Sequence, residues 1–215
     1  SITMYETETI SGSDMEENTD RSTPVFTLED EKWISVDDKN IAIAGKVESE
    51  NGIKKMFYSM NDIDITDEEN VLSVLTVSAN NLSFTTKGRF ECDIEDVPAT
   101  DSTYYFYAVD EAGNIAKKSV WVKHDNQNPI VSLSSQDIND YKVTAKSTIN
   151  VQINASDENG SGIKTIRLYR NDIFYKTITV DAENATSFSQ ATSVRLYKNQ
   201  KTIISAMAID NVGNS

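Results

Sequence analysis

Apolar and polar residues alternate along much of this chain. Ile41, Ile43, Gly45 and Val47 interleave with Ala42, Ala44 and Lys46. Ile149, Val151 and Ile153 interleave with Asn150, Gln152 and Asn154. Phe90, Cys92 and Ile94 oppose Glu91, Asp93 and Glu95, and two further rows run through Tyr104, Phe106, Ala108 and through Ile204, Ala206, Ala208. A period of two with polar residues on one side marks an antiparallel strand that buries one face and wets the other. Strands at spacings of about ten residues, in units of about a hundred, predict β-sandwiches. Helix signals are weak. Segment 66–75, with a Thr in the N-cap position and acids in its first turn, predicts no more than a single turn in a loop.

The pattern is duplicated. Asp20 to Leu28 aligns with Asp125 to Leu133, "IAIAGKV" from Ile41 with "VQINASD" from Val151, and "AVDEAGN" from Ala108 with "AIDNVGN" from Ala208. Three blocks in the same order imply two homologous units. The expected organisation is an acidic segment over 1–19 with a strand at 2–10, a first domain over 20–125 and a second over 126–215. In each copy of D-x-x-G-N a strand ends at the Asp. Gly and Asn then permit the reversal, and the carboxylate accepts amides across the turn. This predicts a hairpin between the last two strands of each unit. In the second unit the chain stops at the turn, so its last strand is missing and an edge is left open. Either the chain is a slice from a longer row of units, or residues 2–10 of one molecule complete the second unit of a neighbour head to tail. The fold class is therefore all-β, two tandem antiparallel sandwiches, the second lacking its last strand.

Composition narrows the role. The chain has 215 residues and a formal charge of −14. The acidity sits in the first half: residues 129–215 hold eight acids against nine bases. So acidic a chain repels nucleic acid and anionic membranes, which excludes both as partners. No apolar run is long enough for a membrane helix. Residue 1 is a Ser with no signal-peptide pattern, which suggests a mature or trimmed chain. With Cys92 as the only cysteine, no internal disulfide can form, which suits a cytosolic protein or a bacterial surface protein equally.

The D-x-x-x-P junctions, the strands in "SENGIKKMFYS" and "ENGSGIKTIRLYR" and the ending "YYFYAVDEAGN" resemble bacterial immunoglobulin-like domains, over about residues 20–215. Fibronectin III units end in a similar way. The resemblance implies a secreted or cell-surface module in tandem, acting as spacer, stalk or adhesive unit, with a protein or polysaccharide at the cell surface as partner. An accessory binding module of a secreted carbohydrate-active enzyme is the alternative it leaves open.

Candidate chemistry is sparse, and no enzyme is expected. His124, the only histidine, has no local partner set and reads as a solvated linker residue. Cys92, on the apolar side of its strand, reads as a small buried hydrophobe. No cofactor other than calcium is suggested. Asp62 and Asp64, on one face of an expected strand, and Asp110, Asp125 and Asp157, in turns and linkers, offer the oxygen donors calcium prefers, although acidic loops also serve solubility alone. Trp33 and Trp121 are able to stack on sugar rings if exposed, but the alternation around them favours packing in the core or at the hinge.

Overall fold

The computed structural model describes residues 21–66 and 80–215. The expected strand at 2–10, and with it the strand-exchange arm, lies outside the described residues, as does nearly all of segment 66–75. The described residues form fourteen strands and no helix.

The first sandwich faces two sheets against each other. One consists of β1 (Val25–Thr27), β3 (Ile41–Glu48) and β6 (Arg89–Ile94), ordered β1-β3-β6. The other contains β2 (Glu31–Ser35), β4 (Ile53–Ser59), β5 (Asn80–Asn81), β7 (Ser102–Asp110) and β8 (Ile115–Asp125), ordered β2-β8-β7-β4-β5. The alternation expected from the sequence holds in β6, where Phe90, Cys92 and Ile94 are buried between exposed neighbours. Phe90 from one sheet lies against Phe106 from the other, with ring centroids 5.8 Å apart. Ile41, Ile43 and Val47 meet Met56, Ala108, Val120 and Val122 across the same core. Burial of such side chains, at roughly 1.5–3 kcal/mol each, drives the packing.

Two features depart from the expected pattern. The sheets are not wholly antiparallel: β2 pairs with β8 in parallel, Trp33 opposite Lys123 and Ser35 opposite Asp125. And Asp62 and Asp64 are not on a strand. The chain leaves the sheet after Ser59, and Tyr107 captures it, its hydroxyl donating to the Asn61 carbonyl at 2.9 Å and accepting the Ile63 amide at 2.8 Å. Ile63 then packs on Phe57, Tyr107 and Val109, a small second core on the outer face of the larger sheet.

The second sandwich repeats the plan with β9 (Ile130–Ser134), β10 (Thr148–Ser156) and β13 (Ser187–Arg195) in one sheet, and β11 (Ile163–Arg170), β12 (Ile173–Thr179) and β14 (Ile204–Asp210) in the other. Its separate core gathers Ile149, Val151, Ile153, Ile166, Leu168 and Val194. Among the described residues the last strand is missing, as the sequence implies: β14 pairs with β11 on one side and with no described strand on the other. The consequence shows in burial. Tyr104 and Phe106 in β7, which β8 flanks in the first unit, are buried, whereas Ile204 and Ala206 at the matching positions are half-exposed. Among the described residues no helix is long and apolar enough to cross a membrane.

Candidate metal centre at the junction

Both D-x-x-G-N turns close in the same way. Gly113 and Gly213 adopt φ of +86° and +102°, which glycine reaches without strain. The Asn114 amide donates to Asp110 Oδ1 at 2.8 Å, and the Asn214 amide to Asp210 Oδ1 at 2.8 Å. Each Asn side chain donates to the second oxygen of the same carboxylate, at 3.0 Å and 2.7 Å. The Asp thus holds its own turn at the pole of the sandwich where β1 or β9 enters.

At the first pole the remaining described hydrogen-bond partners of Asp110 Oδ2 are neutral donors: Ser49 Oγ and Asn51 Nδ2 each lie 3.2 Å from it. Burial alone pushes the Asp110 carboxyl up, but the bonds from Asn114, Asn51 and Ser49 outweigh it and hold the group below the usual carboxylate range.

The second pole is built differently. Asp157, just past the end of β10, opens the loop "DENGSG" and accepts the Gly162 amide at 2.7 Å. Asp125, the last residue of β8, reaches in from the first sandwich. Its Oδ2 accepts the Ser161 amide at 2.7 Å and its Oδ1 the Gln127 amide at 3.0 Å, while its carbonyl accepts Asn214 Nδ2 at 3.3 Å. Asp210 completes the group. One oxygen from each of Asp125, Asp157 and Asp210 falls within 4.8 Å of the others, and all three residues are buried. Among the described residues no Lys, Arg or His forms an ion pair with any of them. Burial pushes the Asp157 carboxyl up; the Gly162 amide opposes this, and the charges of Asp125 and Asp210 raise it further.

Of the five candidate ligands from the sequence, then, two meet here. Asp110 occupies the equivalent turn of the other unit. Asp62 pairs with Lys117 Nζ at 2.5 Å, and Asp64 accepts the Thr66 amide and hydroxyl at 2.9 and 2.7 Å. Asp210 was missed because its string looked like a turn former alone; the signal was its place in that string, at the pole where Asp125 and the "DENGSG" loop also converge.

An open cleft of about 690 Å³ adjoins the cluster, lined by Trp33, Lys123 and His124 from the first unit and Glu158, Asn159 and Asn184 from the second. His124 is not a solvated linker residue. It lies within β8 with its side chain 7% exposed, its amide bonded to Asp101 Oδ1 at 2.8 Å and its Nδ1 3.4 Å from the same oxygen, and among the described residues neither ring nitrogen has a hydrogen-bond partner. Nor is Trp121 a core residue: it is 46% exposed, on the face of β8 opposite Val120 and Val122. Lys123 Nζ lies 4.1 Å from the Trp33 ring centroid and 4.7 Å from that of Trp121. Cys92 is buried as expected, and burial pushes its thiol up to about 11.

No family model matches the chain, and no curated protein matches it. Solved structures do. The fibronectin(III)-like modules of CbhA from Clostridium thermocellum align with 15% identity over 88% of this chain and 88% of theirs, at a TM-score of 0.43. The N-terminal Ig1-2 module of the Drosophila receptor protein tyrosine phosphatase DLAR aligns with 10% identity over 89% of this chain and 93% of its own, at 0.36. A 1.5-MDa bacterial ice-binding adhesin aligns with 15% identity over 90% of this chain and 62% of its own, also at 0.36. At these identities the likeness concerns architecture alone.

Proposed function

We propose that the chain is a non-catalytic pair of Ig-like modules that serves as a spacer in a bacterial protein outside the cell, holding what it carries at a set distance. The observation that supports this best is the junction. β8 ends on Asp125, and that residue is bonded by its side chain to the Ser161 amide and by its carbonyl to Asn214. Two independent cores are thus joined by a short connection, Asn126 to Asn128, whose first anchor is buried in the second unit. Such a connection transmits force and limits bending, where a Gly/Ser linker would not.

Pulling single molecules by their ends tests this. Two discrete unfolding steps, each releasing about 30 nm of chain at roughly 3.6 Å per residue, support the spacer. One merged step, or smooth extension without steps, contradicts it.

A second reading, a carbohydrate-binding module, rests on the row of Trp33, Trp121 and Lys123 on the outer face of the sheet. Half-buried Trp33 and exposed Trp121 offer the flat apolar surface that sugar rings stack on. Retention on polysaccharide columns that Trp121→Ala abolishes supports this reading; equal retention of both proteins removes it.

A further inference from the structure

Three carboxylates gathered in a buried site without a basic partner repel one another, and at neutral pH taking them out of water has a large free-energy cost. Proteins bury such groups when a cation joins them. Acidity alone does not argue for a ligand. Here there is a second observation: the Ser161 hydroxyl is fully buried and, among the described residues, has no hydrogen-bond partner. Its own amide lies 2.7 Å from Asp125 Oδ2. Covalent geometry keeps a serine Oγ within roughly 4 Å of its amide nitrogen, so this unmet oxygen lies no more than about 7 Å from that carboxylate oxygen. A buried hydroxyl normally finds a partner, and a metal ion is one that a protein chain alone does not supply.

The first unit is an internal control. Where Asp157 stands in the second unit, the first has Ser49, and Asn51 joins it in donating to Asp110. Among the described residues, Asp110 is there met by neutral donors alone. In the second unit an acid, Asp157, replaces the Ser49 donor, Asp125 joins it, and the Ser161 oxygen is left over.

We propose that Asp125, Asp157 and Asp210, with the Ser161 hydroxyl, bind one calcium ion that clamps the end of the first sandwich onto the second. The donor set is all oxygen, which disfavours zinc, whose sites use His and Cys. A spread of up to 4.8 Å between the ligand oxygens suits an ion that bonds them at about 2.3–2.6 Å better than magnesium at about 2.0–2.1 Å. The proposal rests on the spacer reading in one respect: the ion crosses the junction that the spacer must keep stiff.

Titration of calcium chloride into chelator-stripped full chain, followed by calorimetry and by thermal melting, tests it. One ion per chain is expected, with a weaker response to magnesium. Asp157→Asn and Asp210→Asn should lower affinity roughly tenfold or more, and Ser161→Ala should weaken it less. In chelator, Asp157→Asn should melt at or above the parent temperature because it relieves repulsion; in calcium it should melt below it. If either Asp variant fails to fold, Ser161→Ala carries the test. No heat and no melting shift at about 10 mM calcium overturns the site, as does undiminished binding in the variants. The two readings fail separately. A chain that binds calcium yet extends without discrete steps keeps the site and loses the spacer. One that unfolds in two steps yet ignores calcium keeps the spacer and loses the site.

Discussion

Ser49 of the first sandwich occupies the place that Asp157 holds in the second. The strand registers establish this: Val25 pairs with Glu48 and Ile130 with Ser156, and Ser49 and Asp157 are the residues that follow, so Ile41 matches Ile149 and not Val151, with which sequence alone aligns it. Ser49 donates to Asp110 at 3.2 Å; Asp157 confronts Asp210. Where a serine donates to the turn carboxylate in one copy, the other sets a second acid beside it, and several consequences can be measured.

The two poles should respond to pH with opposite sign. Asp110, held below the usual range, contributes stability that is present above its unfolded value of 3.8 and lost as pH falls through its lower folded value. Asp157, raised by burial and by Asp125 and Asp210, binds its proton more tightly in the folded state. It therefore lowers stability as pH rises from 3.8 through its folded value. In chelator, acidification from pH 7 toward 4 should stabilise the second sandwich, and Asp157→Asn should remove that gain. Urea unfolding across this pH range reads both effects.

Placing the acid in the first unit should be costly. Ser49→Asp removes a donor from Asp110 and sets a like charge beside it. A loss of about 1–3 kcal/mol in the first sandwich is expected in chelator at pH 7, shrinking at low pH. Urea unfolding monitored at Trp33 and Trp121, both in that sandwich, measures it.

Gly160 provides a direct lesion. A Cβ there would stand 2.5 and 2.6 Å from the two Asp157 carboxylate oxygens, so that side chain must swing away. Gly160→Ala should blunt the calcium response and, because Gly160 is buried and the displaced Asp157 gives up its bond from the Gly162 amide, should also cost about 1–3 kcal/mol in chelator. Paired melts with and without calcium separate the two effects.

Cys92 should be inert in the folded chain. Burial raises its thiol to about 11, so at pH 8 almost none is thiolate. Alkylation should be slow in buffer and fast in urea; equal rates would show that the core around Ile43 and Ile94 opens readily.

Much of this was legible because it is local. Period-two alternation marked β3, β6, β10 and β14, and the repeated D-x-x-G-N marked both turns, since those signals depend on neighbours in sequence. What failed depended on distant partners. Asp62 and Asp64 alternate as strand residues do, but the Tyr107 hydroxyl, far along the chain, binds the backbone between them and pulls it off the sheet. His124 followed polar residues into an apparent linker, yet parallel pairing with β2 extends β8 through it, and "EKWIS" is too short a stretch to announce that pairing. Trp121 was readable in principle, being out of phase with Val120 and Val122. The cluster was half legible: Asp125 and Asp157 lie where turns gather acids, but that Asp210 completes them follows only once both sheets and both units are in place.

The central claim is that the acidic group at the junction couples the two sandwiches through a cation. Spin labels on cysteines introduced at exposed Lys87 and Lys198, one in each sandwich, measure it by pulsed dipolar distance distributions with calcium and with chelator. A narrow distribution in calcium that broadens in chelator, and that stays broad in Asp157→Asn under both conditions, is the predicted result. Distributions of equal width in calcium and chelator would contradict it.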